Sequence, residues 1–247
     1  MNGIILIIIL NLCFTSIAQP QVKYQKYKVS DDIEIIKITD RSYIHVTYSN
    51  MGSFGRVASN GLIFTVNGKA VLLDTPATDS LTKDLVRWIC DTLRSEIVAF
   101  VPNHWHADCM GGLAYLKSLG IESYANERTI QIAKSKNLPV PLHGFKDSLK
   151  LNLNGGVIIC DYLGAAHTLD NIVIWIPSEK ILFAGCMVKD LSSKGLGNTA
   201  DGDLNEYPET IRKVLNKYRS AKLVIPGHGR FDGVELLKHT LKLSEGL

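Results

Sequence analysis

The sequence of 247 residues lacks the features that mark several classes of protein. Its 27 Lys and Arg residues nearly balance its 24 Asp and Glu residues, so the net charge is only +3. Nucleic-acid-binding proteins usually carry a strong basic field, and none is present here. There is no run of like charges, no low-complexity tract and no long linker rich in Pro, Gly or Ser. The composition is that of a soluble globular protein of one large or two small domains.

No apolar run reaches the roughly 20 residues that a transmembrane helix needs. An apolar stretch at residues 4–14 is followed by the small residues Ser16 and Ala18, which is typical of a secretory signal peptide cleaved after Ala18. We therefore predict a signal peptide over residues 1–18 and a single mature domain over residues 19–247. The predicted location is the periplasm, without stable membrane association after cleavage. The alternative is an uncleaved anchor.

Cysteine is scarce, with five residues in the whole chain. Removal of Cys13 with the signal peptide leaves four, an even number that two disulfides would consume in an oxidising compartment. A framework of this kind suits a smaller domain better. Cys90 and Cys160 lie in apolar segments, as buried free cysteines do. Whether Cys90, Cys109 or Cys160 joins a disulfide is left open at this point, and Cys186 has a different setting.

Apolar runs rich in β-branched residues recur along the chain and predict strands. They are IEIIKI, SYIHVTYS, GLIFTV, KAVLLDT, EIVAFVP, GVIICDYLG, NIVIWIP, KILFAG and KLVIPG. The Asn-Gly pair at residues 67–68 predicts a hairpin. Helical patterns lie between the strands, for example over residues 79–93 and 207–218. Because strands and helices interleave while hairpins also occur, we predict an α/β sandwich of two sheets with helices outside.

Metal-binding side chains follow four of the predicted strands. They are, in chain order, His104, His106, Asp108, His167, Cys186 and His228. Loops after separate strands meet at one edge of a sheet in α/β folds, so these side chains are expected to converge. Imidazole, thiolate and carboxylate are zinc ligands that favour four-coordinate geometry. Six groups are too many for one ion but suit two, and three ligands per ion leave each an open position for catalysis. The isolated His45, His143 and His239 are assigned no role.

The motifs around these residues resemble those of the metallo-β-lactamases. NHWHAD, the histidine of AAHTLDN, GCMVKD and PGHG carry the resemblance, together with LLDTP at residues 72–76 and LPVPLHGF at residues 138–145. The similarity is to subclass B1 of the class B β-lactamases, whose second zinc site uses Asp, Cys and His. It runs from roughly residue 28 to the C-terminus. The resemblance implies an αββα sandwich of two mixed sheets with helices on the outer faces, and two Zn²⁺ ions per chain.

The resemblance also implies a zinc site for each ligand. The first zinc would be held by His104, His106 and His167, and the second by Asp108, Cys186 and His228. Asp108 would in addition orient the attacking hydroxide as a catalytic residue.

Three further residues match positions of the family. Lys189 would bind the substrate carboxylate, although a solvated loop lysine is the alternative. Asn198 in GLGN would bind substrate and donate to the oxyanion, and the alternative is a turn residue. Asp74 in LLDTP corresponds to a buried structural acid near the site, and not to a ligand.

The segment over residues 48–61 matches the mobile flap that closes over substrate in this family. It carries Gly52 and Gly55, and the apolar Phe54 lies between them. Exposed apolar residues at a loop tip often mark a binding surface. The alternative is an ordinary hairpin whose Phe54 packs on the core.

The function that the resemblance implies is hydrolysis of the β-lactam ring of penicillins, cephalosporins and carbapenems by a zinc-bound hydroxide, conferring antibiotic resistance. The partner is then a small β-lactam molecule, with no nucleic acid, and a monomer is expected. The alternatives are a thioester or lactone hydrolase of the same superfamily and a non-catalytic zinc-binding protein. Thioesterases and nucleases of the superfamily usually carry His where this chain has Cys109, and a bridging Asp where it has Cys186. Both differences favour the lactamases.

Overall fold

A computed structural model of the chain describes residues 24–153 and 155–246. The predicted signal peptide over residues 1–18 and the start of the predicted domain at residue 19 lie outside the described residues. Within the described part, no helix has the length and apolar character needed to cross a membrane.

The first sheet has eight strands, whose order in space is their order in the chain. They are β1 (Gln25–Lys28), β2 (Ile33–Lys37), β3 (Ser42–Asn50), β4 (Arg56–Val66), β5 (Lys69–Leu73), β6 (Glu96–Val101), β7 (Glu122–Asn126) and β8 (His143–Phe145). Strands β1 to β5 pair antiparallel, whereas β5 to β8 pair in parallel. The predicted hairpin at residues 67–68 joins β4 to β5.

The second sheet has five strands in the order β13-β12-β11-β10-β9. They are β9 (Ser148–Leu153), β10 (Gly156–Asp161), β11 (Val173–Ile176), β12 (Ile181–Gly185) and β13 (Leu223–Pro226). All neighbours pair antiparallel except β12 and β13, which are parallel. Both sheets are therefore mixed, as predicted.

Six α-helices and one 3-10 helix (Gly52–Phe54) lie in the described part of the chain. The α-helices are α1 (Asp79–Thr92), α2 (Ala107–Met110), α3 (Leu113–Ser118), α4 (Glu127–Ser135), α5 (Tyr207–Lys217) and α6 (Glu235–Glu245). Helix α1 begins after Thr78, whose side chain accepts a hydrogen bond from the Leu81 N–H. Its buried Leu85 and Ile89 are four residues apart and thus lie on one face.

The two sheets and the helices on their outer faces form four layers, and an apolar cluster lies between each pair of adjacent layers. The cluster between the sheets includes the fully buried Phe64 of β4 and Phe183 of β12. A second joins the first sheet to α1 and α3, and a third joins the second sheet to α5 and α6. Each fully buried aliphatic or aromatic side chain contributes about 1.5–3 kcal/mol through removal of apolar area from water. The arrangement is the predicted αββα sandwich.

The segment expected to be a long flap is mostly strand. Strand β3 continues to Asn50 and β4 begins at Arg56, with an unbroken register between them. Only residues 51–55 connect the strands. Gly52 and Gly55 there have φ of 60° and 70°, which few other residues adopt easily. Phe54 at the tip is 69% exposed, so the alternative in which it packs on the core is wrong.

The interpretation of Cys90 as a buried residue is also wrong, because Cys90 is exposed on α1. It follows the buried Ile89 by one position, and one residue turns a helix by about 100°. Cys160, by contrast, is fully buried. The four cysteines Cys90, Cys109, Cys160 and Cys186 are all free.

Candidate metal centre

The six predicted ligands leave different elements at the same end of the sandwich. His104 and His106 follow β6, and Asp108 lies in α2 directly after them. His167, Cys186 and His228 follow β10, β12 and β13 in the second sheet. The six side chains thus lie between the ends of the two sheets. The short apolar strands before them determine where each loop begins.

Three histidines form one group. The His104 Nε2 and His106 Nδ1 atoms are 3.0 Å apart. The His167 ring lies edge-on to both, with centroid distances of 4.9 Å to His104 and 5.2 Å to His106. Two nitrogens that bind one tetrahedral zinc at about 2.0–2.1 Å are about 3.3 Å apart. The His104 and His106 nitrogens therefore have the spacing of two ligands of one zinc ion, and the His167 ring lies beside them.

Asp108, Cys186 and His228 form the adjoining group. The His228 Nε2 atom lies 3.2 Å from the Asp108 Oδ2 atom and 3.3 Å from the Cys186 Sγ atom. The Cys186 Sγ atom is 3.7 Å from the same Asp108 oxygen. Carboxylate, thiolate and imidazole within this range are a zinc donor set. The two groups adjoin, since the ligand atoms of His104, His106 and Asp108 all lie within 4.8 Å of one another.

The charges of the second group are arranged as metal ligands require. A hydrogen bond from Cys109 and the nearby His228 lower the pKa of Cys186 to about 6, so its thiolate forms near neutral pH. The Cys186 thiolate in turn raises the pKa of His228 to about 11. Burial opposes ionisation of Asp108, but the hydrogen bond from His228 and the neighbouring imidazoles hold its pKa well below the ordinary value. A metal cation can replace the His228 proton as the partner of these two anions.

Burial keeps two imidazoles of the first group neutral. Burial, with a smaller contribution from His167, lowers the pKa of His104 well below its ordinary value. Burial and the charge of Lys189 lower the pKa of His167 to about 3. Neutral imidazole is the form that binds a metal. His104 and His167 therefore fit zinc in the protonation state that they already adopt, whereas His228 releases its proton when it binds the metal.

Further contacts fix the imidazole rings. The outer Nε2 atom of His106 lies 3.0 Å from the Asp201 Oδ2 atom, which orients Nδ1 towards His104. The outer Nδ1–H of His228 donates to the Ala58 carbonyl at 2.8 Å. Sequence reasoning did not identify Asp201, which lies in a polar turn segment that resembles any surface loop.

Asn60 on β4 holds the loop that carries His228. Its backbone N–H donates to the Gly227 carbonyl at 2.7 Å. Its side-chain amide donates to the carbonyls of Pro226 and Gly229, at 2.9 and 3.0 Å. Asn60 is buried, so water cannot replace these bonds. No local pattern predicts this contact, because it joins positions 166 residues apart.

Lys189 lies beside the second group. Its ammonium donates to the Cys186 carbonyl at 2.7 Å, and its backbone N–H donates to Thr240 of α6 at 2.8 Å. Burial lowers the pKa of Lys189. The alternative of a freely solvated loop lysine does not match this position.

Asn198 and Asp74 occupy different environments. Asn198 is exposed, and its side-chain oxygen accepts from the Ala200 N–H at 3.2 Å, as a turn residue does. Its role towards substrate stays a prediction. Asp74 is 1% exposed and accepts from the Asn103 N–H. Burial raises the pKa of Asp74 well above the ordinary value.

The three histidines without an assigned role form hydrogen bonds with protein groups outside the two ligand groups. His143 pairs with Glu122 on the surface at 2.6 Å, and His239 donates to the Ser193 carbonyl at 2.9 Å. His45 is buried on β3 and donates from Nε2 to the Asp74 carbonyl at 3.2 Å.

Comparisons with known proteins agree with this geometry. The family model of the metallo-beta-lactamase superfamily matches residues 104–228, a range that contains all six clustered side chains. The metallo-beta-lactamase type 2 of Bacteroides fragilis is 49% identical over 216 residues, which cover 87% of each chain. That of Bacillus cereus is 36% identical and covers 85% of this chain and 82% of its own. The solved metallo-beta-lactamase from Pontibacter korlensis has a TM-score of 0.84 at 36% identity, over 87% of this chain and all of that one.

Proposed function

The chain belongs to the metallo-β-lactamase superfamily and is a zinc-dependent hydrolase of β-lactam rings, and on this basis we propose that it uses two zinc ions to open penicillins, cephalosporins and carbapenems. The observation that supports the proposal is that all six side chains converge at one end of the sandwich, with three imidazoles beside a carboxylate, a thiolate and a fourth imidazole. In this proposal His104, His106 and His167 hold the first ion, and Asp108, Cys186 and His228 hold the second.

When bound, the ions supply an ionised water molecule near neutral pH and neutralise the charge that develops on the carbonyl oxygen and the ring nitrogen. The protein side chains do the rest. The Asp108 carboxylate accepts a hydrogen bond from the attacking water and thereby sets its direction. Three protein ligands per ion would leave each ion an open coordination position for water or substrate.

Substrate binding falls to residues around the second site. Lys189 reaches the cleft with its ammonium fixed beside Cys186, where it attracts the carboxylate of the substrate as a point charge. Asn198 is proposed as a donor to the carbonyl oxygen, for which its side chain must leave the Ala200 N–H. Phe54 at the exposed tip of the hairpin covers the apolar part of the substrate.

Replacement of Lys189 by Ala is expected to raise KM by about tenfold to a hundredfold with a smaller change in kcat, since one charged contact is worth about 1.5–3 kcal/mol. Steady-state kinetics on one cephalosporin measures both constants. The exposed Lys194 provides the matched control, because Lys194→Ala removes the same charge from the same loop. An unchanged KM in Lys189→Ala at full zinc content would remove the proposed role.

Replacement of Asn60 by Ala is expected to weaken zinc binding at the second site by about 10–100-fold, the usual range when support of a ligand is lost. The loop that carries His228 then loses two side-chain hydrogen bonds. Competition with a chromophoric chelator gives the two affinities, and Ser59→Ala on the same strand is the control. Equal affinities in parent and Asn60→Ala would contradict the coupling, whereas loss at both sites alike would indicate general unfolding.

The proposal places the mature protein in the periplasm as a monomer, after cleavage following Ala18. N-terminal sequencing of the exported protein and its sedimentation in solution test these two points.

The test of the substrate range is hydrolysis of one penicillin, one cephalosporin and one carbapenem by the purified mature protein. Turnover of all three is expected, with loss on addition of a chelator and recovery on addition of zinc. A folded, zinc-loaded sample that leaves one class intact would remove that class from the proposal.

A further inference from the structure

Two cysteines from distant parts of the chain meet beneath the candidate metal centre. Cys109 lies in α2, and Cys186 follows β12. Their sulfur atoms lie within 4.8 Å of each other and of an Asp108 oxygen. Each residue is 2% exposed, and each is free. In the proposed hydrolytic function Cys186 is a zinc ligand, whereas Cys109 is not a ligand and its sulfur lies 3.2 Å from the His104 Nδ1 atom.

The positions of the two thiols suit a reactive pair of cysteines. The Cys109 sulfur lies within 4.8 Å of the Cys186 sulfur, and the His228 Nε2 atom lies 3.3 Å from the Cys186 sulfur. A thiolate attacks an oxidant, and an adjacent thiol then resolves the oxidised sulfur as a disulfide.

We propose that Cys109 and Cys186 form a reversible disulfide when the second site loses its zinc in the presence of hydrogen peroxide. The inference rests on the proposed function only in its assignment of Cys186 as a zinc ligand. While Cys186 is bound to metal, its sulfur lone pair is engaged and the reaction is suppressed. Cys109 thus protects Cys186 from further oxidation, because the disulfide between them can be reduced again.

The chemistry balances with peroxide as the oxidant. The Cys186 thiolate attacks one peroxide oxygen, the O–O bond breaks, and the hydroxide that leaves takes up a proton to become water. Cys186 is then a sulfenic acid. The Cys109 sulfur attacks the Cys186 sulfur, the S–S bond forms, and the hydroxyl group leaves with the Cys109 proton as a second water. Two thiols are oxidised by two electrons, and one peroxide is reduced.

The disulfide has a consequence for recovery of the enzyme. Sulfenic acid that is not resolved proceeds to sulfinic and sulfonic acids, which thiol reductants do not reverse. A disulfide is reduced by thiol–disulfide exchange and returns Cys186 to the ligand state. Cys109 therefore converts an irreversible lesion of the second site into a reversible one.

The experiment uses the mature chain with Cys90→Ser, which removes the exposed thiol and prevents cross-links between molecules. Zinc-loaded and chelator-stripped samples are treated with hydrogen peroxide, alkylated, and analysed by intact mass and peptide mapping. We expect the stripped sample to lose two hydrogens and to yield one peptide pair joined through Cys109 and Cys186. The zinc-loaded sample is expected to keep both thiols.

Two further variants show whether the effect depends on Cys109. With Cys109→Ser, Cys186 is expected to gain oxygen atoms instead, and reductant plus zinc is expected to restore zinc binding only in chains that retain Cys109. Cys160→Ser, which removes a fully buried thiol away from the site, is expected to behave as the parent.

Absence of the joined peptide pair, with equal oxygen uptake at Cys186 whether or not Cys109 is present, would overturn the inference. Failure of the proposed function gives a different result. If the disulfide forms equally fast in zinc-loaded and stripped samples, Cys186 is not a zinc ligand, and the protection by zinc is overturned while the disulfide stands.

Discussion

Cys186→Ser is expected to lower kcat/KM for β-lactam hydrolysis by about 100-fold or more, with loss of about one zinc per chain. The Cys186 thiolate is one of three ligands of the proposed second site, and it lies within 3.7 Å of Asp108 and 3.3 Å of His228. A serine hydroxyl stays protonated near neutral pH and is a poor zinc ligand. The second ion contributes several kcal/mol through charge stabilisation, and each 1.36 kcal/mol is a factor of ten in rate.

The measurement pairs steady-state kinetics with the zinc content of the same sample. Cys160→Ser is the matched control, since it makes the same exchange at a fully buried position in the core between the sheets. Wild-type turnover of Cys186→Ser at two zinc ions per chain would disprove the ligand assignment. A stable Cys160→Ser chain with normal activity is expected to confirm that the effect belongs to the site.

His45→Gln is expected to make the protein less sensitive to acid. His45 is 1% exposed, and burial lowers its pKa to about 4. Its Nδ1 atom has no hydrogen-bond partner, so a proton added there would be a buried donor without an acceptor. In the unfolded chain the pKa of a histidine is about 6.5, so the unfolded state binds the proton first. His45 therefore lowers the free energy of unfolding as the pH falls from about 6.5 towards 4. At pH 5 this loss is roughly 2 kcal/mol.

The measurement is the free energy of unfolding of zinc-loaded protein at pH 7.5 and at pH 5, in the parent and in His45→Gln. Glutamine retains a donor for the Asp74 carbonyl but cannot be protonated. We expect the loss of stability between the two pH values to be smaller in the variant by roughly 2 kcal/mol. His143→Gln makes the same exchange at an exposed surface position and serves as the control. Identical pH dependences of His45→Gln and the parent would show that His45 does not control acid stability.

The strands and the ligand set were predictable because their signals are local. A short β-branched run predicts its own strand, and a ligand directly after it predicts where that ligand lies. The same reasoning located His167 and His228, which are far apart in the chain but follow strands of one sheet. The exposure of Cys90 could also be predicted, since its neighbour Ile89 is on the apolar face of α1.

The supporting contacts were not predictable from local pattern. Asn60, Asp201 and Cys109 act on residues that the fold brings to them from elsewhere in the chain. An asparagine before a glycine or an aspartate in a polar loop reads as a turn residue at any site. The extent of the hairpin was missed for a related reason. Arg56 and the residues after it are too polar to predict a strand, yet they pair in register with β3.

The pairing of β3 with β4 limits how the tip of this hairpin can diversify in evolution. Side chains alternate between the two faces of a strand, so an insertion of one residue after Arg56 would turn Asn60 away from the loop at residues 226–229. The five residues from Met51 to Gly55 have no such constraint, because the connection can change length without shifting either strand. Natural variants with altered substrate preference should therefore differ in length within residues 51–55 and keep the spacing from Arg56 to Asn60 constant.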